Sequence, residues 1–352
     1  MTQNYRRINL EQQDIGSPLS CSGDIGIHSN ELDSSSENAA PAPRITVLGS
    51  INMDLVFAAP RMPAVGETLT GSDFRQVSGG KGANQAVAAA RQGAEVHFVG
   101  MVGADGFGSA AVAGMTADGI DCGAIGIAAL PTGVAGIMVA DSGDNSIIYV
   151  AGANQELSIE RVDAAAALIS SGQWLICQLE SPLASVARAF EIAKDANVHI
   201  VFNPSPVPAT LLDGLIDGVA VLVVNETEAS QLSGVTVADA DSAARAAAVL
   251  RSRGAATVLV TMGQHGVLVA DGAGPGRLLP ALAVSAVDTT AAGDTFVGTL
   301  TVALGRGAAI DDAVGEAQAA AAVSVTRLGA QSSIPTRAEM LRMLGGEVVH
   351  QP

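Results

Sequence analysis

The chain has 352 residues, 48% of them apolar, and 18 basic against 35 acidic side chains give it a formal charge of −17. That apolar share builds a sizeable core as one large or two smaller domains, while the negative field repels nucleic-acid phosphates and anionic membrane surfaces, so any phosphate must be held locally. Three scattered cysteines, Cys21, Cys122 and Cys177, form neither a disulfide framework nor a zinc site and suit a reducing, cytoplasmic setting. No run approaches the ~20 apolar residues of a membrane span, and Met1–Arg44 lacks the apolar core of a signal peptide.

Residues 1–43 include the polar, aperiodic stretch Asp33-Ser34-Ser35-Ser36-Glu37-Asn38 and the run Ala39-Ala40-Pro41-Ala42-Pro43, and read as a disordered extension. From Ile45 onward, short β-branched runs alternate with alanine-rich stretches, the pattern of a mostly parallel sheet flanked by helices. Strands are expected at 45–48, 96–101, 174–178, 198–202, 219–224 and 257–261. Helices are expected at 85–91, 107–118, 182–195, 226–232, 241–253, 295–304 and 311–326. Two regions break the alternation: Val56–Val77 and Gly133–Val150 read as strands joined by turns, forming a small antiparallel sheet placed to act as a lid.

The strongest local signal is Asp288-Thr289-Thr290-Ala291-Ala292-Gly293-Asp294, followed by Phe296, Leu300 and Leu304 at helical spacing. It sets a helix start at Gly293 or Asp294, where unpaired N–H groups attract phosphate. Asp294 reads either as a general base that takes a hydroxyl proton or as a helix cap. In Gly79-Gly80-Lys81-Gly82-Ala83-Asn84, glycines let backbone approach a ligand while Lys81, one of only two lysines, and Asn84 supply donors suited to hydroxyls. A tight turn is the alternative, and the register is not that of a Walker A loop.

Asn52 and Asp54 share one face of extended chain, and Glu180 lies past the end of a strand. These three either line a pocket or serve as a polar strand exit and a helix cap. Asn225 and Glu228, three residues apart at a helix start, suit hydrated Mg²⁺ on ATP phosphates, although taken alone they read first as a capping box. No dinucleotide fingerprint and no nucleophile elbow is present, which removes the main support for oxidoreductase and hydrolase readings.

Together these segments, with Gln178-Leu179-Glu180-Ser181-Pro182 and Val325-Thr326-Arg327-Leu328-Gly329-Ala330-Gln331, resemble the ribokinase-type carbohydrate kinases, the family that also holds fructokinase and adenosine kinase. The likeness implies a three-layer α/β domain over 44–345 and an ATP-dependent sugar kinase. It implies sugar contacts from Asn52, Met53, Asp54, Gly80, Lys81, Gly82, Ala83, Asn84 and Glu180. Asp294 matches the base, and Ala291, Ala292 and Gly293 the anion hole. Asn225, Glu228, Thr261, Met262, Gly263, Gln264, His265, Gly266 and Gln318 fall on the ATP and Mg²⁺ side, Gln318 standing where relatives often carry His or Asn. Asp288, Thr290, Ser324, Arg327, Gly329 and Ser333 match a monovalent-cation site that favours K⁺. A homodimer formed through the small sheet is implied too. The many polar contacts and few aromatics favour D-ribose, phosphorylated at its 5-hydroxyl. A related sugar such as deoxyribose or fructose, a nucleoside, or a non-catalytic sugar sensor are the alternatives.

Overall fold

The computed structural model describes residues 41–209, 214–272 and 274–345; the first 40 residues of the expected extension lie outside the described residues. The chain runs through β1 (Arg44–Leu48), β2 (Asn52–Ala59), β3 (Asp73–Gly79), α1 (Lys81–Arg91), β4 (Glu95–Gly103), α2 (Gly106–Ala117), β5 (Asp121–Ala128), β6 (Gly133–Ala140) and β7 (Asn145–Val150). It continues with α3 (Ile159–Ala164), α4 (Ala166–Ser171), β8 (Trp174–Cys177), α5 (Leu183–Asp195), β9 (His199–Phe202), β10 (Val221–Asn225), α6 (Glu226–Ser233) and α7 (Ala240–Ser252). The last elements are β11 (Thr257–Thr261), β12 (Val267–Ala270), β13 (Arg277–Leu279), α8 (Ala292–Gly305), α9 (Ile310–Val325) and α10 (Arg337–Leu344).

Nine strands form the main sheet in the order β13-β12-β11-β10-β9-β8-β1-β4-β5. All its pairings from β11 to β5 are parallel, and only the β12 and β13 edge is antiparallel. Strand alternation sorts the core into two layers. Leu175, Cys177, Ile200, Phe202, Leu222 and Val224 face the helices α3 to α7, whereas Ile45, Val47, Ile176, Val201 and Val223 face α1, α2, α8 and α9. Burial on both faces is what makes these strands read as continuous apolar runs. Pro43, just ahead of β1, is buried already, and its carbonyl accepts from Glu95 N at 3.0 Å.

The second sheet has the order β3-β2-β6-β7. It is mixed rather than antiparallel as expected, because β2 pairs β6 in parallel from Asn52↔Gly133 to Ala59↔Ala140. The parallel pairing follows from the chain's path: β4, α2 and β5 intervene between β2 and β6, so the return is a crossover, not a hairpin. The sheet also starts earlier than expected, at Asn52, which makes Asn52 and Asp54 part of it. The helix expected at 85–91 begins four residues sooner, since Gly80 at φ 94° turns the chain directly into Lys81. Strand β5 and helices α3, α4 and α10 were not foreseen. The two short helices are six residues each, too brief for a periodic signal.

α1 and α8 cross at close range. A Cβ on Gly298 would lie 2.5 Å from Gln85 O and 2.6 Å from Ala88 Cβ, so Gly298→Val must force the helices apart. The expected loss is about 2–3 kcal/mol, a fall in Tm of roughly 3–5 °C for a domain of this size, read by calorimetry. Gly315, in α9 with open space around its Cβ position, is the contrast: Gly315→Ala raises stability by about 0.5–1 kcal/mol.

Candidate functional site

The carboxyl ends of β1, β8, β9, β10 and β11 lie along one edge of the parallel sheet, where open α/β sheets bind ligands. Against this edge α1 presents its first turn. A Cβ on Gly80 would sit 2.8 Å from Asn52 N and one on Gly82 2.6 Å from Ser50 N, so glycines alone let α1 begin this close to the β1–β2 connection.

Glu180 organises the pocket that results. Its Oε2 accepts from Ser50 Oγ at 2.6 Å, Asn52 Nδ2 at 3.2 Å and Lys81 N at 3.2 Å. It therefore does not cap α5, whose N-cap Pro182 has no side-chain cap bond. Buried Asn154 accepts from Ile51 N at 2.9 Å and donates to Asn52 Oδ1 at 2.7 Å, which orients the Asn52 amide toward Glu180. Asp54 is 8% exposed, and room for it exists because Gly79, diagonal to it on β3, has no Cβ, which would lie 2.5 Å from Asp54 Oδ2. Burial, with Glu180 and Asp294 nearby, pushes the Asp54 carboxyl up to about 7.

On the other side of the pocket α8 begins. Ala291, at φ 59°, is its N-cap residue and makes no side-chain cap bond, so the N–H groups at Gly293 and Asp294 have no partner within the helix. Asp294 is the third helical residue and does not act as the cap. Its Oδ2 accepts from Asn84 Nδ2 at 3.0 Å and its Oδ1 from Gln85 Nε2 at 2.9 Å. Burial raises the Asp294 pKa above the ordinary carboxylate range, opposed by Lys81, Asn84 and Gln85 and reinforced by Glu180. For Lys81, burial alone would lower the pKa. Asp294, Glu180 and Glu228 outweigh it, and the ammonium is held above its ordinary value.

A cavity of about 240 Å³ joins this pocket to the strand ends, lined by Lys81, Asn225, Glu228, Thr261, Thr289 and Ala291 through Asp294, with Asn203 and Ser205. Asn225 and Glu228 form a full capping box for α6: Glu228 N donates to Asn225 Oδ1 at 2.8 Å, and Asn225 N to Glu228 Oε2 at 3.0 Å. Oε1 of Glu228 takes no part in the cap. Beyond Thr261 the lining stops. Met262 is buried, and Gly263, Gln264 and His265 form an exposed 3₁₀ turn closed by Gly266, whose φ of 104° and tight contact with Leu279 O admit only glycine. Gln318, on α9, donates to Leu279 O at 3.3 Å and Pro280 O at 3.2 Å, so its amide holds the backbone after β13 rather than lining the cavity.

The cation-site candidates lie on two loops that touch, with Ser324 in the last turn of α9 just before the second. Asp288 Oδ1 accepts from Thr290 N and Oγ1, and its Oδ2 from Gly329 N at 2.9 Å. Burial would raise the Asp288 pKa, yet those three bonds and Arg75 hold it below the ordinary value. Ser324 and Ser333 are fully buried. The Arg327 guanidinium pairs with Glu339 at 2.6 Å, and the Asp288 carboxylate with the Thr290, Ser324 and Ser333 hydroxyls is an oxygen set of the kind that suits a hard cation. Among the described residues no group of three or more His, Cys, Asp or Glu is arranged to hold a metal ion.

Four contributors escaped sequence reading: the buried Gln85, Asn154 and Gln178 and the half-buried Asn203. Gln85 and Gln178 lie beside or in a motif, whereas Asn154 and Asn203 lie outside every motif. Tyr149 was missed too. In the small sheet it pairs with Ala135, which pairs with Asp54, so all three share a face. Its hydroxyl is within hydrogen-bonding reach of Asn154 and Asn52, and burial and Glu180 raise its pKa.

The raised carboxyl of Asp54 carries a stability consequence. Between its ordinary 3.8 and about 7 the folded chain keeps a proton that the unfolded chain releases, so this contribution is lost as pH rises through 7. Asp54→Asn should exceed the wild type by about 2–4 kcal/mol at pH 8.5, with the gap closing toward pH 5, as measured by urea unfolding.

The sequence family described as pfkB family carbohydrate kinase matches residues 42–337. A ribokinase of Haemophilus influenzae is 46% identical over 301 residues, spanning 85% of this chain and 98% of the relative. A deoxyribokinase of Salmonella typhi is 36% identical over 293 residues, spanning 83% and 95%. Among solved structures, Arabidopsis thaliana ribokinase complexed with ribose and ATP superposes with a TM-score of 0.81 at 30% identity, covering 86% of this chain and 99% of that one. Thermotoga maritima ribokinase gives 0.78 at 36%, covering 86% and 99%. The chain belongs to the pfkB family of carbohydrate kinases.

Proposed function

We propose that this chain transfers the γ-phosphoryl group of ATP to the 5-hydroxyl of D-ribose, giving ribose 5-phosphate. The observation that carries the reading is Asp294: a buried carboxylate at the first turn of α8, where the Glu180 pocket meets the cavity of about 240 Å³. In that position it takes the proton of the attacking hydroxyl, while the N–H groups at Ala291 to Gly293 and the Lys81 ammonium stabilise charge on the transferred group. Asn52, Asp54, Lys81, Asn84 and Glu180 bind the sugar hydroxyls. Met53, Gly80, Gly82 and Ala83 shape the wall behind them.

Asn225 and the uncommitted oxygen of Glu228 would hold the hydrated Mg²⁺ that accompanies ATP, an ion that neutralises phosphate charge when bound. Asp288, Thr290, Ser324, Arg327, Gly329 and Ser333 would hold K⁺ beside the α8 turn, mostly through carbonyl oxygens. Thr261 through Gly266 and Gln318 lie on the adenosine side of this reading. The free thiols of Cys122 and Cys177 agree with a cytoplasmic setting.

With ATP, Mg²⁺ and K⁺, ADP release should follow D-ribose, and omission of K⁺ should slow it. Turnover of fructose or adenosine without ribose overturns the ribose assignment, and preference for deoxyribose shifts it to the chemistry named for the Salmonella relative. Asp294→Asn should cut kcat by ~10²–10⁴ while calorimetry still detects ribose binding. A wild-type chain that binds ribose without turnover would instead be a sensor.

The same reading includes a homodimer through the small sheet. Phe57 and Phe74, paired across β2 and β3 with ring centroids 5.0 Å apart, share the outer face with Ile148 and Val150, and all four are exposed. An apolar face of that kind on a curved, mixed sheet suits a second copy. Ile148→Asp should convert a dimer seen by light scattering into monomer; a wild type already monomeric at micromolar concentration refutes the pairing.

A further inference from the structure

We propose that Gln85, with Gln178 and Asn203 behind it, is the positioning residue that fixes the orientation and charge of the Asp294 carboxylate. The inference deepens the phosphoryl-transfer reading and rests on Asp294 acting as its base.

Gln85 is the fifth residue of α1 and has no exposed surface. Its Nε2 lies 2.9 Å from Asp294 Oδ1 and 3.2 Å from Asn203 Oδ1, and its Oε1 accepts from Gln178 Nε2 at 2.7 Å. Asn203 cannot turn over, because its Nδ2 donates to Val223 O at 3.0 Å. These partners leave Gln85 one orientation. The flipped amide would set its oxygen against the Asp294 carboxylate and Asn203 Oδ1, and its NH₂ against that of Gln178. The carboxylate is thus clamped on one oxygen by Gln85, from the sheet side, and on the other by Asn84, its neighbour on α1.

The arrangement is costly, which argues that it is not packing alone. Gln178 Oε1 is buried with no partner, tucked where a Cβ on Gly49 would stand 2.1 Å away, so a glycine is needed to seat it. A buried oxygen left unpaired lowers stability, and a leucine would fill the same space without that cost. What the glutamine supplies and leucine cannot is a donor that forces the Gln85 amide to point its own N–H at Asp294.

Two effects follow. The carboxylate keeps one oxygen directed toward the cavity without searching rotamers. Its charged form is favoured by a buried N–H donor, which works with Lys81 from the same helix turn against burial and against the nearby carboxylate of Glu180. A base that must be unprotonated to act therefore remains so at lower pH.

The test compares wild type, Gln85→Leu, Gln178→Leu and the double variant, using pH profiles of kcat from ADP release, with KM for the sugar. The double variant removes both members of the Gln85–Gln178 bond and leaves neither amide stranded, so it keeps the comparison possible if Gln85→Leu folds poorly. Loss of the Gln85 donor should move the acidic limb of the kcat profile upward by about one pH unit and lower kcat roughly tenfold near neutrality. KM should change less than about threefold. Gln178→Leu should produce a smaller shift of the same sign, and should add nothing once Gln85 is leucine. Acidic limbs that coincide in wild type, Gln85→Leu and the double variant overturn the inference while leaving Asp294 as the base intact. A wild-type chain with no turnover at any pH overturns both.

Discussion

The contact on which the site depends is the near approach of α1 to α8 at Gly298. Backbone lies against backbone there, and the first turns of the two helices converge on one point beyond the sheet edge. One contributes Lys81, Asn84 and Gln85, the other Ala291 through Asp294. Neither helix end makes a site alone. The N–H groups that open α1 are taken up by Glu180 and Ser50, while those at Gly293 and Asp294 stay unpaired within α8, so the two facing N-termini concentrate positive potential in a protein whose net charge is strongly negative. Local geometry thus supplies what composition withholds, a place where a polyphosphate is attracted rather than repelled.

Into that positive region the chain puts carboxylates. Asp54, Glu180 and Asp294 stand around one lysine, and burial raises the pKa of Asp54 and of Asp294. Such a cluster destabilises the fold, and carboxylates with raised pKa values in a closed pocket mark it as a candidate functional site. The network limits the cost by distributing it. Glu180 receives three donors, Asp294 two, and Asp54 is left to retain its proton. Glu180 therefore ties the pocket together, Asp294 is held by two amides, and Asp54 sits at the boundary between acceptor and donor near neutral pH.

Much of this was legible in the sequence. The main sheet announced itself through apolar β-branched runs because both its faces are covered, and the glycine-rich turn before Asn84 and the small-residue turn before Asp294 marked the two helix starts. What stayed hidden was information held between segments. The direction of β6 against β2 depends on where the chain goes in between, so an antiparallel lid was the natural but mistaken expectation. Whether Asp294 caps its helix or faces a pocket depends on Ala291 adopting a left-handed conformation, which alanine does not advertise. Gln85, Gln178 and Asn203 carry no periodic or charge signal; they matter only because three distant segments bring their amides together.

α1 has a second end, and it ties the site to the rest of the molecule. At its last residue Arg91 donates to Gln331 O at 2.6 Å and Ile334 O at 2.8 Å while pairing with Asp118, and the next residue, Gln92, donates to Pro335 O at 3.0 Å. These bonds pin the loop that carries Gly329 and Ser333 to the helix that carries Lys81 and Gln85. The start of the same loop is held by Asp288, six residues before Asp294. α1, 11 residues long, has α8 packed against its middle, so it cannot tilt at one end without displacing the other. The loop that carries Gly329 and Ser333, the glycine-rich turn at Lys81 and the carboxylate at the head of α8 thus share one mechanical support, joined along the chain through Asp288 and across the fold through α1.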